Sequence, residues 1–199
     1  YTIEPAEFGR RRALLAEAMA RYRALSPGHF IIGITLENLS EVELEAGNYD
    51  AARESALESV EFYRHTSSLF GYIWALNAPG TATLASGDVD GARAHACELL
   101  SNVRRIGSAP GVGMALLLLA PIEAIRGDGV LAAGLLGAWE VCAGMIDTPL
   151  ATTNFLCART REALARSLDE NAVEAAIAAG TRWTVEDAIN VALMVAEGR

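Results

Sequence analysis

The sequence predicts an all-α chain of about ten helices, stacked as antiparallel pairs in an α-solenoid with a repeat of about 40 residues. Three observations carry that prediction. A corner motif recurs: Gly47-Asn48-Tyr49-Asp50-Ala51-Ala52-Arg53, then Gly87-Asp88-Val89-Asp90-Gly91-Ala92-Arg93, with a weaker echo at Gly127-Asp128-Gly129-Val130-Leu131-Ala132-Ala133. The three glycines stand 40 residues apart. The chain is 52% hydrophobic yet only 7% aromatic, and its wealth of Ala and Leu favours helices over the β-branched and aromatic strands of a sandwich.

Each corner reads as a tight turn between two helices. Glycine enters the left-handed region without a Cβ penalty and so ends a helix. Asn48, Asp88 and Asp128 follow it and suit the cap of the next helix, with Asp50 and Asp90 two residues on. Tyr49 and Val89 sit where an apolar residue staples the turn. Ala52, Ala92 and Ala132 put a small side chain where helices approach closely.

In chain order, a first helix is expected from Glu4 to Leu25, with Phe8, Leu15, Met19 and Tyr22 on one stripe and the arginines largely off it. It reads as a half repeat over 1–28, the second helix of a pair whose first lies upstream. Helix pairs follow over 29–66, 67–107 and 108–147, and capping helices over 148–199 close the single array. Pro79-Gly80 should kink or break the helix over 68–86, and Pro121 should bend the one over 112–126. Gly107 to Gly111 reads as a loop. Ala92, Ala96, Leu99, Leu100 and Val103 form the expected buried face of the helix after Asp88. Leu164, Leu168, Ala175, Trp183, Val185, Ala188, Ile189 and Leu193 are expected to close the last apolar face, with Thr184 and Asp187 capping the final helix.

The formal net charge of −9 opposes nucleic-acid phosphate, so no nucleic acid is expected to bind this segment. The apolar run from Val112 to Ile125 is shorter than the roughly twenty residues of a bilayer span, so it reads as a buried helix and no membrane partner is expected. Cys97, Cys142 and Cys157, odd in number and widely spaced, read as buried thiols in a cytoplasmic protein. His29, His65 and His95 have no ligand partner at metal spacing. There is no G-x-S-x-G elbow and no companion to Ser86 or Ser108, and Gly111-Val112-Gly113 lacks the preceding strand of a dinucleotide fingerprint. No catalytic residue, cofactor or metal is expected.

The corner motif resembles the helix pairs of tetratricopeptide-like repeats. Leu135-Leu136-Gly137-Ala138-Trp139-Glu140 and Ala178-Ala179-Gly180-Thr181-Arg182-Trp183-Thr184-Val185-Glu186-Asp187-Ala188-Ile189 are similar to the final segments of large bacterial regulators, the LuxR-type signal-transduction ATPases with a helical sensor region. That resemblance implies a non-catalytic, cytoplasmic sensor or scaffold module downstream of a nucleotide-binding domain. This chain has no G-x-x-x-x-G-K-[ST] loop of its own.

In such an array the first helix of each pair lines the concave face. Register then places Ile34, Glu37, Glu41 and Glu45 from the first pair, Trp74, Asn77 and Thr81 from the second, and Met114, Leu117 and Pro121 from the third along one groove. Eight acidic residues and a single arginine between Glu37 and Glu61 make its first end acidic. The expected occupant is a peptide, a protein or a small amphipathic ligand with a cationic end. The alternative is a scaffold that docks on an ATPase domain or on itself as a homodimer.

Overall fold

The computed structural model describes residues 5–66, 68–143 and 150–196. The fold is all-α. Among the described residues there are eleven helices and no strand: α1 Pro5–Leu25, α2 Ile31–Glu45, α3 Tyr49–Arg64, α4 Leu69–Ala75, α5 Asn77–Ala85, α6 Val89–Ile106, α7 Ala109–Arg126, α8 Gly129–Ala143, α9 Ala151–Leu164, α10 Glu170–Gly180 and α11 Val185–Ala196. They form two compact units, Tyr1–Asp88 and Val89–Arg199, and the boundary falls inside the expected second pair.

The repeated corner is a chemical device. Gly47, Gly87 and Gly127 have φ of 78°, 95° and 101°, the left-handed region that a Cβ disfavours. The following residue turns its amide back five positions. Asn48 N–H donates to the Glu43 carbonyl at 2.9 Å, Asp88 to Thr83 at 3.2 Å and Asp128 to Glu123 at 3.0 Å. These bonds satisfy carbonyls that the helix end leaves bare. Gly107 does the same at φ 73°, with Ser108 N–H on the Val103 carbonyl at 3.2 Å. The expected loop from Gly107 to Gly111 is therefore a corner. Ser108 caps α7 by accepting from Gly111 N–H at 3.2 Å, and Pro110 falls in the first turn, where its missing N–H costs nothing.

In the first unit, α2 packs on α1 and α3, and α3 packs on α4 and α5. The helix expected over 68–86 breaks at Leu76, so that Pro79 lies in the first turn of α5 instead of clashing with a preceding turn. In the second unit α7 runs unbroken through Pro121. By length and apolarity α7 could cross a membrane, but most of it is buried, packed on α6, α8 and α9. The five residues expected on the inner face of α6 are all buried.

The tightest contact of the second unit joins α8 to α10. A Cβ on Gly180 would lie 1.9 Å from the Gly134 carbonyl oxygen, and one on Gly137 would lie 2.1 Å from that of Ile177. Trp183 covers Gly134, whose Cβ would meet its ring at 3.0 Å. The backbones of α8 and α10 thus meet at Gly134 with Gly180 and at Gly137 with Ile177. Thr184 and Asp187 cap α11 reciprocally: Thr184 N–H donates to Asp187 Oδ2 at 2.9 Å, and Asp187 N–H donates to Thr184 Oγ1 at 3.1 Å. Two expected members of the closing apolar face, Ala175 and Val185, are exposed instead: α10 turns Ala176 inward, and α11 turns Ala188, Ala192 and Val195 inward.

Candidate functional site

The first unit is built around Tyr63. Its ring is buried on α3 between two glycines of other helices. A Cβ on Gly33 of α2 would stand 2.4 Å from Tyr63 Cζ, and one on Gly71 of α4 would stand 2.2 Å from Cε1. Only glycine lets both backbones reach the ring, which explains two glycines inside helices where propensity disfavours them. The Tyr63 hydroxyl donates to the Phe30 carbonyl at 3.4 Å. Burial, with the charge of Glu37, pushes its pKa up to about 12.

Glu37 stands one turn beyond Gly33, and a helical side chain leans back over the preceding turn. Its carboxyl is half-buried, and Oε1 is sealed from solvent without a hydrogen-bond partner. Burial first, and the charge of Glu41 second, push its pKa up from about 4.5 to about 8. The folded chain thus holds a proton that the unfolded chain releases. Stability due to this group is full below pH 4.5 and is lost as pH rises toward 8. Glu37→Gln is expected to remove a slope of up to about 1.4 kcal/mol per pH unit across that window, read from urea unfolding of both proteins at several pH values. Identical slopes for the two would refute the assignment.

The acidic face of α2 meets the chain's own first helix. Arg12 donates to both carboxylate oxygens of Glu43, at 2.5 and 2.7 Å, and Asn48 Nδ2 adds a third bond at 2.8 Å. Arg11 pairs with Glu45 on α2, and Arg23 with Glu58 on α3. Glu45, expected in the groove, is therefore an exposed partner of Arg11. Asn48 spends its side chain on Glu43 rather than on a helix cap. The Arg12 guanidinium, helped by Asn48, holds the Glu43 carboxyl below the usual range although burial opposes it. Glu43 therefore stabilises the fold above its unfolded pKa near 4.5 and ceases to as pH falls through its lower folded value. Amides of α1 are expected to lose exchange protection in acid before those of α3, and Arg12→Ala should produce the same loss at neutral pH.

The remaining expected groove residues divide. Glu41 lies half-buried one turn from Glu37. Trp74 is half-buried, with its ring 5.7 Å from that of Phe70. Asn77 is 4% exposed and its Oδ1 has no hydrogen-bond partner. Thr81 is fully buried and donates to the Asn77 carbonyl, while Met114 and Leu117, in the second unit, are buried core residues at 7% and 2% exposure. Pro121 is buried as well, and Ile34 stays at the surface at 36%. Thr81, Met114, Leu117 and Pro121 thus serve packing rather than an open groove: apolar side chains and a satisfied hydroxyl gain more from burial than from water.

Sequence reasoning missed Phe30 and Phe70, which are 52% and 72% exposed, and the Gly33–Tyr63–Gly71 cradle. The available signal was a pair of glycines inside helical patterns with no turn to explain them. A further cleft, of about 330 Å³, lies between Pro27-Gly28 and Glu58, Glu61, Phe62, His65 and Thr66. Its carboxylates are engaged with Arg23, Arg64 and His65.

The second unit buries charges of its own. Arg93 donates to the Val195 carbonyl near the end of α11, where a cation suits the helix dipole. Arg93 Nε and Glu123 Oε1 are both buried without a hydrogen-bond partner. Burial pushes the Glu123 carboxyl up, with Arg126 and Arg93 pulling it back. The three cysteines are free thiols, Cys157 buried and the other two half-buried, and burial raises the pKa of each. No cluster of metal-ligating side chains occurs among the described residues. No protein-family model, no curated protein and no solved structure matches the chain.

Proposed function

We propose that the chain is a non-catalytic binding module, the tetratricopeptide-like sensor region of a multidomain, cytoplasmic, LuxR-type bacterial regulator. It would answer a ligand or partner and work beside a nucleotide-binding domain of the parent protein. The observation that supports binding is the sealed, unpartnered oxygen of Glu37 in a unit that also leaves Phe30 and Phe70 exposed. Folding alone gives little reason to keep such an arrangement, because a buried acceptor without a donor costs about 1–3 kcal/mol. The regulator setting is supported by the resemblance at 135–140 and 178–189, each of which supplies one glycine, Gly137 and Gly180, to the close contact of α8 with α10.

The second reading is a scaffold that associates with itself or with an ATPase domain. Leu14 and Leu25 on α1, 58% and 84% exposed, and Met194 on α11, 53% exposed, favour it. Native mass spectrometry of the chain isolated gently from a bacterial cytoplasm separates the two. A reproducible added mass on the monomer is expected for the binding module. A bare chain, chiefly in dimers or larger species, would replace it with the scaffold.

A further inference from the structure

We propose that the cleft between the α1–α2 corner and the last two turns of α3 binds a small organic cation with a flat apolar body. The body would lie against Phe62 and Pro27, and the charged donor on Glu58. This inference rests on the binding-module reading and gives that module a site and a class of ligand.

The cleft is a cavity of about 330 Å³, at the small end of ligand sites. Glu58, Glu61, Phe62 and His65 line one wall, and their helical spacing puts them on a single face of α3. Pro27 and Gly28 line the other. Both walls are held by the fold itself. At the corner, Ser26 N–H donates to the Tyr22 carbonyl at 2.8 Å, and His29 N–H donates to the Ser26 carbonyl at 2.9 Å. The His29 ring lies 5.0 Å from that of Tyr22 and 4.8 Å from that of Phe30. On α3 the Phe62 ring meets Tyr63 edge-on at 5.5 Å, and Tyr63 is locked between its two glycines. A site formed in advance loses little of its binding energy to ordering side chains.

Gly28 leaves room on its wall. Its φ lies outside the left-handed region, and nothing stands within 4 Å of the place where a Cβ would be. Neither backbone nor packing therefore requires glycine there, in contrast to Gly33 and Gly71.

The hydrogen-bonding capacity left on the lining side chains belongs to acceptors. Glu61 gives one carboxylate oxygen to Arg64 at 2.7 Å and the other to His65 Nε2 at 2.8 Å. Opposite a carboxylate Nε2 is the donor, so Nδ1 of the neutral imidazole is an acceptor. The Thr66 hydroxyl donates to the Tyr63 carbonyl at 3.3 Å. Glu58 Oε1 accepts from Arg23, and Oε2 accepts from no group among the described residues. The cleft also borders the C-terminal end of α3, where the helix dipole favours positive charge. An ammonium group carries donors and no acceptor and so matches this lining, whereas a carboxylate meets acceptors alone. Phe62 adds a ring, which attracts a cation within about 6 Å.

The test uses three probes of one shape on the full chain: benzylammonium, benzyl alcohol and benzoate. Calorimetry reports affinity, and amide shifts in proton–nitrogen NMR spectra report place. Benzylammonium is expected to bind at least about threefold more tightly than the alcohol, as an ion pair at a half-exposed carboxylate implies, with benzoate weakest. Shifts should centre on Gly28 and on the last two turns of α3. Glu58→Gln should abolish the preference over the alcohol with unfolding unchanged, since its bridge to Arg23 joins two half-exposed partners. Gly28→Leu puts a side chain into open space, and should weaken benzylammonium and benzyl alcohol together by about tenfold without changing unfolding. Equal affinities for the three probes, no benzylammonium binding at millimolar concentration, shifts centred elsewhere, or full affinity in both variants would overturn the site. If benzylammonium fails while native mass spectrometry still shows an added mass, this site falls and the binding module stands. A bare chain together with that failure removes both.

Discussion

Gly180→Ala is expected to unfold the second unit at a temperature at which the parent chain is intact. The new methyl would stand 1.9 Å from the Gly134 carbonyl oxygen, and 2.7 Å and 2.9 Å from the next two backbone atoms of that residue. A side chain can swing aside, but a helix backbone cannot do so without moving α8 as a whole. Overpacking of this kind costs about 3 kcal/mol or more, which for a domain of this size lowers Tm by about 10–20 °C. Gly137→Ala makes the reciprocal clash on the Ile177 carbonyl at 2.1 Å and should match it. The informative control is Gly127→Ala, where nothing stands within 4 Å of the added methyl. Its cost is only the left-handed backbone at φ 101°, about 1–2 kcal/mol. Thermal unfolding of the three variants settles the matter: if Gly127→Ala is as damaging as Gly180→Ala, the helix crossing is not what those glycines secure.

Tyr63→Ala should be the most damaging single change in the first unit, at about 3–5 kcal/mol by analogy with other aromatic truncations in a core. The loss follows from two glycines that have no side chains with which to fill the space the ring leaves. Tyr63→Phe, by contrast, gives up only a long hydrogen bond of 3.4 Å to the Phe30 carbonyl, and is expected to cost less than about 1 kcal/mol. Gly71→Ala presses on the same ring from the α4 side, with its methyl 2.2 Å from Cε1, and should displace Trp74 with it. Urea unfolding followed through tryptophan fluorescence measures all three. A Tyr63→Phe variant as unstable as Tyr63→Ala would show that the hydroxyl, not the ring, holds the unit.

The corners could be read from the chain because their chemistry is local. Gly47, Gly87 and Gly127 must take positive φ for the chain to turn, and the sequence shows them at equal intervals with helix formers on either side. The buried face of α6 was legible for a similar reason, since Ala92, Ala96, Leu99, Leu100 and Val103 follow the helical period. The Thr184–Asp187 cap is also local, its partners three residues apart.

The candidate site was only half legible. Glu37 and Glu41 on one helical stripe follow from spacing, but the same spacing adds Glu45, which the structure gives to Arg11. That choice depends on where α1 lies, and no pattern within α2 encodes it. Met114, Leu117 and Thr81 fit a helical face as well as any lining residue, yet neighbouring helices cover them. Periodicity says which residues share a face, not what covers that face. Gly33, Gly71, Gly137 and Gly180 make the same point more sharply. As letters they are weak helix formers, and they acquire meaning only when another helix arrives with Tyr63 or a bare backbone at the place where a Cβ would be. The sequence by itself determined the helices, their corners and their inner stripes, because those follow from interactions within a few residues. Tertiary structure decided which carboxylate is neutralised, which is left sealed and alone, and which aromatic rings remain in water, because burial and pairing are properties of neighbours distant along the chain.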